Sequence, residues 1–214
     1  MSDQAKQTIW IFGDQLNPDI SSLQGQTPGD CRILMVESLQ KLKSRNWHAQ
    51  RQHVVVSAMM HFAEELREKG FEVDYQLATS FKKGLERHCQ NNAVTEVSAM
   101  EPSSWKFRKF LEKNGIRIIP NNQFICSYSE FAEWSKSRKQ LRLEDFYRWQ
   151  RKRLTVLMSD GDPAGGRWNF DSDNREPPPK DGRSWPSPAK FPLDPTDELV
   201  LSRLSDGWGK YPMV

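Results

Sequence analysis

Cysteine is scarce in this 214-residue chain, and long apolar runs are absent. The three cysteines, Cys31, Cys89 and Cys126, lie far apart without a Cys-x-x-Cys unit, which argues against a disulfide framework or a zinc site. No apolar stretch approaches the roughly 20 residues that cross a bilayer, and no apolar signal region opens the chain. We therefore expect a cytoplasmic protein with no membrane partner, in which Cys31 and Cys126 are buried core residues.

Several common functional motifs are absent as well. No Gly-x-Gly-x-x-Gly follows the first apolar run, and no Gly-Lys-Ser/Thr occurs, so ATP or NAD binding has little support. The Gly-x-Ser-x-Gly turn of many hydrolases is also absent. The four histidines have no cysteine or carboxylate at metal-ligand spacing. The sequence thus identifies no catalytic residue and predicts no metal site.

Charge is distributed unevenly, although the net charge is only +3. Between Lys136 and Arg153 there are eight Lys/Arg residues and two acidic residues, so the rest of the chain is net negative. Such a basic stripe is compatible with binding to a phosphate backbone. It is equally compatible with an ordinary solvated helix face.

Short apolar runs alternate with helical patterns over the first two-thirds of the chain. The predicted strands are Thr8–Phe12, Cys31–Val36, Phe71–Leu77, Val94–Met100 and Ile116–Ile119. The predicted helices between them are residues 49–69, Phe81–Asn91 and Trp105–Asn114. This alternation predicts an α/β fold, with a Rossmann-like open parallel sheet of about five strands and helices on both faces.

The pattern changes after Ser127. Glu130–Ser137 and Glu144–Met158 are predicted helices, residues 159–195 contain eight prolines, and Leu199–Leu204 is a last short helix. Proline-rich stretches of this length are typical of linkers. The sequence therefore predicts an α/β domain over residues 1–135 and a helical, Pro/Gly-rich linker region over residues 136–214.

Polar residues stand where three of the predicted strands end. They are Gly13-Asp14-Gln15-Leu16, Glu37-Ser38 and Glu101-Pro102-Ser103. Open parallel sheets bind ligands outside the carboxyl ends of their strands. If the first two strands are neighbours, Asp14 and Glu37 line one crevice, where Gly13 lets a flat ring approach the backbone. Met59 and Met100 could form apolar walls there. Alternatively, Asp14 caps a turn and Met59 belongs to the core.

The most distinctive stretch is Gly165-Gly166-Arg167-Trp168-Asn169-Phe170-Asp171-Ser172-Asp173-Asn174-Arg175, followed by three prolines. By itself it could be a linker pinned by its aromatic residues. It also resembles the signature of the bacterial photolyase-related proteins that carry an iron–sulfur cluster, a branch of the cryptochrome/photolyase family. Further matches occur in the same order over roughly residues 7–200. They are Phe12-Gly13-Asp14-Gln15-Leu16, Ser57-Ala58-Met59 running into His61–Leu66, Phe124–Ser127 and Phe146-Tyr147-Arg148.

The resemblance implies two domains that bind different cofactors. In the family, the N-terminal α/β domain binds a light-harvesting antenna, 6,7-dimethyl-8-ribityllumazine. A larger helical domain holds FAD and a 4Fe-4S cluster, and excited FAD donates an electron to a DNA lesion. Carried over to this chain, residues 12–16 edge the antenna pocket and Glu37 hydrogen-bonds the chromophore. The cofactor-binding residues are then expected to be Phe12, Gly13, Asp14, Gln15, Leu16, Glu37, Met59, Met100 and Glu101.

The chain stops at Val214, where the resemblance places the beginning of the helical domain. We expect that the FAD-binding domain is absent, that the chain alone does not repair DNA, and that exposed apolar surface favours self-association. Basic and aromatic residues near the linker are expected to contact DNA or to dock the absent domain. They are Arg148, Arg151, Arg153, Arg167, Trp168 and Arg175. In the docking alternative, Arg175 and Asp171 pair across that interface.

Two other functions are compatible with the residues. One is a free-standing nucleotide- or flavin-binding protein without photochemistry, and the other is an interaction domain that binds nucleic acid through its basic stripe. The lesion type, and the choice between repair and blue-light sensing, stay open at this point.

Overall fold

The computed structural model describes residues 6–175, 177–184 and 186–205. The chain forms two packing units: residues 1–127 together with 191–214, and residues 128–190. The boundary that the sequence predicts between residues 135 and 136 stays a prediction. The last nine residues of the predicted linker region, 206–214, lie outside the described part.

A five-stranded sheet lies at the centre of the first unit. Its strands are β1 (Lys6–Ile11), β2 (Cys31–Ser38), β3 (Glu72–Ala78), β4 (Val94–Met100) and β5 (Arg117–Ile119). Neighbouring strands pair in parallel, in the order β3-β2-β1-β4-β5. The predicted Rossmann-like parallel sheet is confirmed. Because the chain crosses from β3 on one side of β1 to β4 on the other, the topological switch point lies between β1 and β4.

Seven α-helices lie in the described residues. They are α1 (Leu39–Leu42), α2 (Ala49–Glu68), α3 (Phe81–Asn91), α4 (Trp105–Lys113), α5 (Tyr128–Lys136), α6 (Leu143–Leu154) and α7 (Pro195–Ser205). The first four and α7 belong to the first unit, and α5 and α6 to the second. Ser80 caps the N-terminus of helix α3, and its Oγ accepts a hydrogen bond from the Lys83 backbone N–H at 3.2 Å.

Apolar side chains cover both faces of the sheet, which explains why the central strands are apolar at successive positions. The α2 side of the core contains Ile9, Ile11, Ile33, Met35, Met59, Phe62, Leu66 and Met100. The opposite side, against α3 and α4, contains Trp10, Phe12, Leu34, Val36, Leu85, Ala99 and Leu111. Cys31 is buried as predicted, and burial raises the pKa of its thiol to about 11, whereas Cys126 is only half-buried.

In the second unit, α5 and α6 pack through the aromatic rings of Phe131, Trp134, Phe146 and Trp149, with centroids 5.0–5.9 Å apart. The helix predicted over Glu144–Met158 ends instead at Leu154, because Thr155 takes a left-handed backbone conformation with φ 54°. The chain then forms a two-stranded ribbon of β6 (Met158–Ser159) and β7 (Asp162–Pro163). Within the described residues, no helix is long and apolar enough to span a membrane.

Close packing of α3 on β2 requires glycine at position 84. A Cβ atom there would lie 2.7 Å from each of the two terminal methyl carbons of Val36, so Gly84→Ala must push the helix away from the strand. We expect a loss of about 1–3 kcal/mol in the free energy of unfolding, despite the better helix propensity of alanine. Urea unfolding measures it, with Gly29→Ala as the control, since nothing lies within 4 Å of a Cβ there. Equal stability of the two variants would contradict the packing argument.

Candidate functional site

A buried carboxylate lies at the carboxyl end of β2. Glu37 is the last but one residue of the strand, and its side chain is 0 % exposed. Its Oε1 accepts a hydrogen bond from the Tyr75 hydroxyl at 2.5 Å, and Arg203 Nη1 lies 3.4 Å from the same oxygen. The second oxygen, Oε2, is buried without a hydrogen-bond partner among the described residues. We call Glu37, Tyr75 and Arg203 the Glu37 site.

Three elements bring the Glu37 site together. In the β2–β3 register Glu37 pairs with Leu77, so Tyr75, two residues earlier on β3, faces the same side of the sheet. Arg203 comes from α7, which packs Val200 and Leu204 against Val56 of α2. The site is therefore covered by a helix 166 residues further along the chain.

Burial sets the electrostatics of this site. It raises the pKa of Glu37, although the Tyr75 hydrogen bond and the Arg203 charge act in the opposite direction. Burial, together with the neighbouring carboxylate, also raises the pKa of Tyr75, which therefore keeps its proton and acts as a donor to Glu37. A carboxylate with one oxygen engaged and the other free in a dry environment is a strong acceptor for an N–H or O–H group.

Two histidines of α2 anchor the beginning of α7. His61 Nε2 lies 2.6 Å from Asp194 Oδ2, and His53 Nε2 lies 3.2 Å from the Asp197 carbonyl oxygen. Asp194 and Asp197 also accept hydrogen bonds from each other's backbone N–H, which caps the helix. These polar contacts help to hold α7, and with it Arg203, over the Glu37 site.

A second buried acceptor lies at the switch point between β1 and β4. Gln15 Nε2 donates to the Met100 carbonyl oxygen at 3.2 Å, while Gln15 Oε1 is buried without a partner among the described residues. Asp14 is exposed, and its carbonyl oxygen accepts from Gln123 Nε2 at 3.1 Å. Gln15 thus has an unpartnered acceptor oxygen close to the carboxyl end of β4, the kind of position at which open parallel sheets bind ligands.

The two predicted methionine walls belong to the packed core. Met59 and Met100 are buried on the α2 side of the sheet. A Cβ atom at Gly13 would lie 3.0 Å from Met59 Sδ and 3.2 Å from Val55 Cγ1. The close approach that glycine permits at position 13 is thus used by helix α2, and Leu16 packs against the same core.

The remaining predicted cofactor residues lie on the opposite side of the sheet. Phe12 joins an aromatic cluster, with its ring centroid 4.8 Å from that of Phe107. Glu101 forms a salt bridge with Arg108 of α4. The structure therefore gathers Glu37, Met59 and Met100 on the α2 side and places Phe12 and Glu101 against α3 and α4.

Arg151, in the second unit, is 6 % exposed and acts inside that unit. Its guanidinium donates to the carbonyl oxygens of Val156, Leu157 and Trp168 and to the Tyr147 hydroxyl. It thereby ties α6 to the Gly165–Arg175 loop. Sequence reasoning treated this residue as a surface cation, because nothing in the basic run distinguishes it from its neighbours.

The other predicted linker residues lie nearer the surface of the second unit. Arg148 pairs with Glu144, and Arg153 with Glu130. The Trp168 ring has the guanidinium of Arg148 at 5.4 Å and the ammonium of Lys152 at 5.5 Å. Arg167 forms a salt bridge with Asp173 and stacks on Phe170 at 4.3 Å, and Arg175 is exposed.

No group of three or more His, Cys, Asp or Glu side chains is placed to hold a metal ion in the part of the chain that the structure describes. The groups that the sheet edge does offer are the buried acceptor oxygens of Glu37 and Gln15, with Arg203 as a flanking cation beside Glu37.

Comparison with known proteins identifies the lineage. The family described as deoxyribodipyrimidine photo-lyase-related protein matches residues 9–211. A (6-4) photolyase of Agrobacterium fabrum is 34 % identical over 219 residues, which cover 95 % of this chain and 43 % of the relative. An uncharacterized protein of Acanthamoeba polyphaga mimivirus is 23 % identical over 133 residues, covering 56 % of this chain and 67 % of that protein. This chain thus spans less than half of the length of the Agrobacterium relative. The family match and this identity together show that the chain belongs to the deoxyribodipyrimidine photo-lyase-related protein family.

Proposed function

We propose that this chain is the antenna-binding α/β part of a photolyase-like flavoprotein, and that the full-length protein uses light to repair DNA or to sense blue light. The family match supports the photolyase-like part of this proposal. The relative of which this chain covers 43 % is itself a (6-4) photolyase. The activity is assigned to a full-length protein, because light-driven repair needs a flavin close to a base flipped out of the duplex.

The free Oε2 of Glu37 is the observation that carries the antenna proposal. A buried polar atom without a partner costs free energy, and a ligand donor removes that cost. A lumazine with a ribityl tail offers a ring N–H and several hydroxyl groups, which fit the acceptor oxygens of Glu37 and Gln15. When bound, the chromophore would absorb light and pass the energy on. Because Met59 packs against Gly13, we do not place the ring there.

We assign FAD and a 4Fe-4S cluster to a further helical domain of the full-length protein. Four cysteine ligands hold such a cluster, and the sequence has three cysteines in all. The second unit exposes apolar side chains on which such a domain could dock, among them Leu143 (83 % exposed) and Leu157 (65 %). The same surface would favour self-association of the chain on its own.

We further propose that Arg148, Arg153, Arg167, Trp168 and Arg175 contact either DNA or the docked FAD-binding domain. Guanidinium groups bind phosphates in a bidentate manner, and an indole ring can stack on a base. Arg151 has no part in this proposal, since its hydrogen bonds are directed inside the unit.

Titration with 6,7-dimethyl-8-ribityllumazine tests the antenna proposal. We expect saturable binding with a red-shifted absorption band. In Glu37→Gln the affinity should fall roughly 5- to 140-fold, because a buried hydrogen bond to a charged acceptor contributes about 1–3 kcal/mol. The change keeps the shape of the side chain, so the circular dichroism spectrum should not change.

The matched control is Glu133→Gln, which alters an exposed glutamate of the second unit that pairs with Lys136. Its lumazine affinity should equal that of the unmodified chain. Equal affinity of Glu37→Gln and the control would contradict the site assignment. Failure to bind lumazine, together with tight binding of an adenine nucleotide, would favour the free-standing nucleotide-binding protein instead.

A further inference from the structure

A second feature of the first unit is a cluster of unbalanced positive charge after β2. Between Glu37 and Glu64 the chain has no acidic residue. Within that interval, residues 41–51 contain four cations: Lys41, Lys43, Arg45 and Arg51. Since the whole chain has a net charge of +3, the chain without these four would be at −1. We call residues 41–51 the α1–α2 patch.

These cations differ from most others on the helices of the first unit. At the far end of α2, Arg67 pairs with Glu64 and Lys69 with Glu65. On α3 and α4, further cations pair with Glu86 and Glu112. No ion pair involves the four cations of the α1–α2 patch within the described residues. An anionic partner would relieve their mutual repulsion.

An indole ring holds the two arginines of the patch. Arg51 Cζ lies 4.4 Å and Arg45 Cζ 5.6 Å from the Trp47 ring centroid. Both distances are within the range of cation–π attraction. A guanidinium packed on an aromatic ring keeps its N–H groups available at the ring edge, so both arginines are ordered before a partner arrives.

The backbone of the patch is also fixed. Gln52 Nε2 donates to the Leu42 carbonyl oxygen at 2.8 Å, and Ser44 Oγ donates to the Lys41 carbonyl oxygen at 2.7 Å. His48 Nδ1 accepts from the Gln50 backbone N–H at 3.2 Å at the start of α2. Binding would therefore require little ordering of the loop.

We propose that the α1–α2 patch binds the sugar–phosphate backbone of DNA. Several closely spaced cations suit a partner with regularly repeated phosphates, and guanidinium groups bind phosphate oxygens in a bidentate manner. An anionic lipid surface fits less well, because Trp47 is half-buried and its ring already contacts the guanidinium groups of Arg45 and Arg51. The patch contacts phosphates without reading bases. Naming DNA as the nucleic acid rests on the proposed function.

Fluorescence anisotropy with labelled duplex DNA of arbitrary sequence tests the patch. The variant is Arg45→Ala/Arg51→Ala, and the matched control is Arg67→Ala/Lys69→Ala, which removes two cations from the other end of the same helix. Between about 50 and 200 mM salt, the slope of log K against log salt should shrink by about 1.8 in the variant. The affinity at the lowest salt should fall by about tenfold in the variant and by less than about twofold in the control.

Equal losses of DNA affinity in the variant and the control would overturn the proposal, because the loss would then come from the change in net charge and not from the patch. Wild-type DNA affinity in the variant would overturn it as well, and so would arginine-dependent binding to phosphatidylserine vesicles without a change in DNA binding. Lumazine affinity, measured in parallel, should be the same in the variant and the unmodified chain. A failure of the patch is thus distinguishable from a failure of the antenna proposal.

Discussion

Replacing Arg151 with alanine is expected to destabilise the second unit by roughly 3–4 kcal/mol. The guanidinium serves as donor to the carbonyl oxygens of Val156 and Trp168 at 3.3 and 2.9 Å and to the Tyr147 hydroxyl at 2.9 Å. It also bonds the Leu157 carbonyl oxygen. Removing it leaves the Val156 carbonyl oxygen without its side-chain donor, whereas Leu157 keeps the Ala164 N–H and Trp168 keeps the Tyr147 hydroxyl as donors. It also opens a cavity against the Trp168 ring, 5.3 Å away.

Urea unfolding followed by tryptophan fluorescence measures this loss, since Trp134, Trp149 and Trp168 all lie in the second unit. Arg148→Ala is the matched control, because that side chain is 46 % exposed and pairs with Glu144 one helical turn away. The control should lose less than about 0.5 kcal/mol. If the two variants unfold at the same urea concentration, the internal role of Arg151 is wrong.

The internal role of Arg151 affects the choice of variants for DNA-binding experiments on the second unit. A double change of Arg148 and Arg151 would mix a loss of surface charge with partial unfolding of the unit. Changes at Arg148 and Arg167 remove exposed cations and leave the guanidinium that ties α6 to its loop in place.

The second large effect is expected at His88, whose side chain is 0 % exposed. His88 Nδ1 lies 2.6 Å from Asp74 Oδ2, and Nε2 lies 2.9 Å from Thr8 Oγ1. Because an ionised carboxylate can only accept, Nδ1 carries a proton and donates to Asp74, and Nε2 forms a hydrogen bond with the Thr8 hydroxyl. One ring thus links α3 to both β1 and β3. His88→Ala should cost about 3 kcal/mol, through two lost hydrogen bonds and a cavity.

The pH dependence of stability provides a second readout of this link. Burial acts to raise the pKa of Asp74, but hydrogen bonds from His88 and Gln76 outweigh it, and the pKa lies below its ordinary value of 3.8. A carboxyl with a lowered pKa in the folded state stabilises the fold above its unfolded pKa. That stability is lost as pH falls through the folded pKa. In His88→Ala, burial is less opposed, so the acid-induced loss attributable to Asp74 should shrink.

Thermal unfolding of the unmodified protein and of the His88→Ala variant, at neutral and at acidic pH, measures these effects. His48→Ala is the control, because His48 is only half-buried and caps the N-terminus of α2, a role whose loss should cost about 1 kcal/mol or less. Two outcomes would show that the hydrogen bonds linking Thr8, His88 and Asp74 contribute little. One is equal destabilisation by the two histidine changes, and the other is an unchanged loss of stability at acidic pH in His88→Ala.

Much of the first unit was predictable, because periodicity reports which residues are buried. The strand Val94–Met100 and the helix Phe81–Asn91 have the bounds that the sequence predicts. Helix α6 was predicted four residues too long, since apolar Leu157 continues its pattern although Thr155 turns the chain. The short helix α1 was not predicted, because four residues are too few for a periodic signal.

The candidate site was predictable only in part. The strand-end rule points to Glu37 and Gln15, and both have buried acceptor oxygens without a partner in the described residues. The strand-end rule does not distinguish the two faces of the sheet. The prediction therefore grouped Phe12 and Glu101, which lie on the α3 and α4 side, with Glu37, which lies on the α2 side. Their roles, like those of the other predicted cofactor residues, stay predictions that lumazine titration can test.

The sequence alone determined the open parallel sheet and the resemblance to photolyase-related proteins, and it predicts that a ligand binds at the carboxyl ends of the strands. Each depends on short-range patterns or motifs that a one-dimensional chain carries explicitly. Tertiary structure alone decided that Arg203 covers Glu37, that Arg151 is an internal donor and that His88 joins two strands. Such pairs are set by how separate elements pack, and burial then determines whether a charged group meets solvent or a partner.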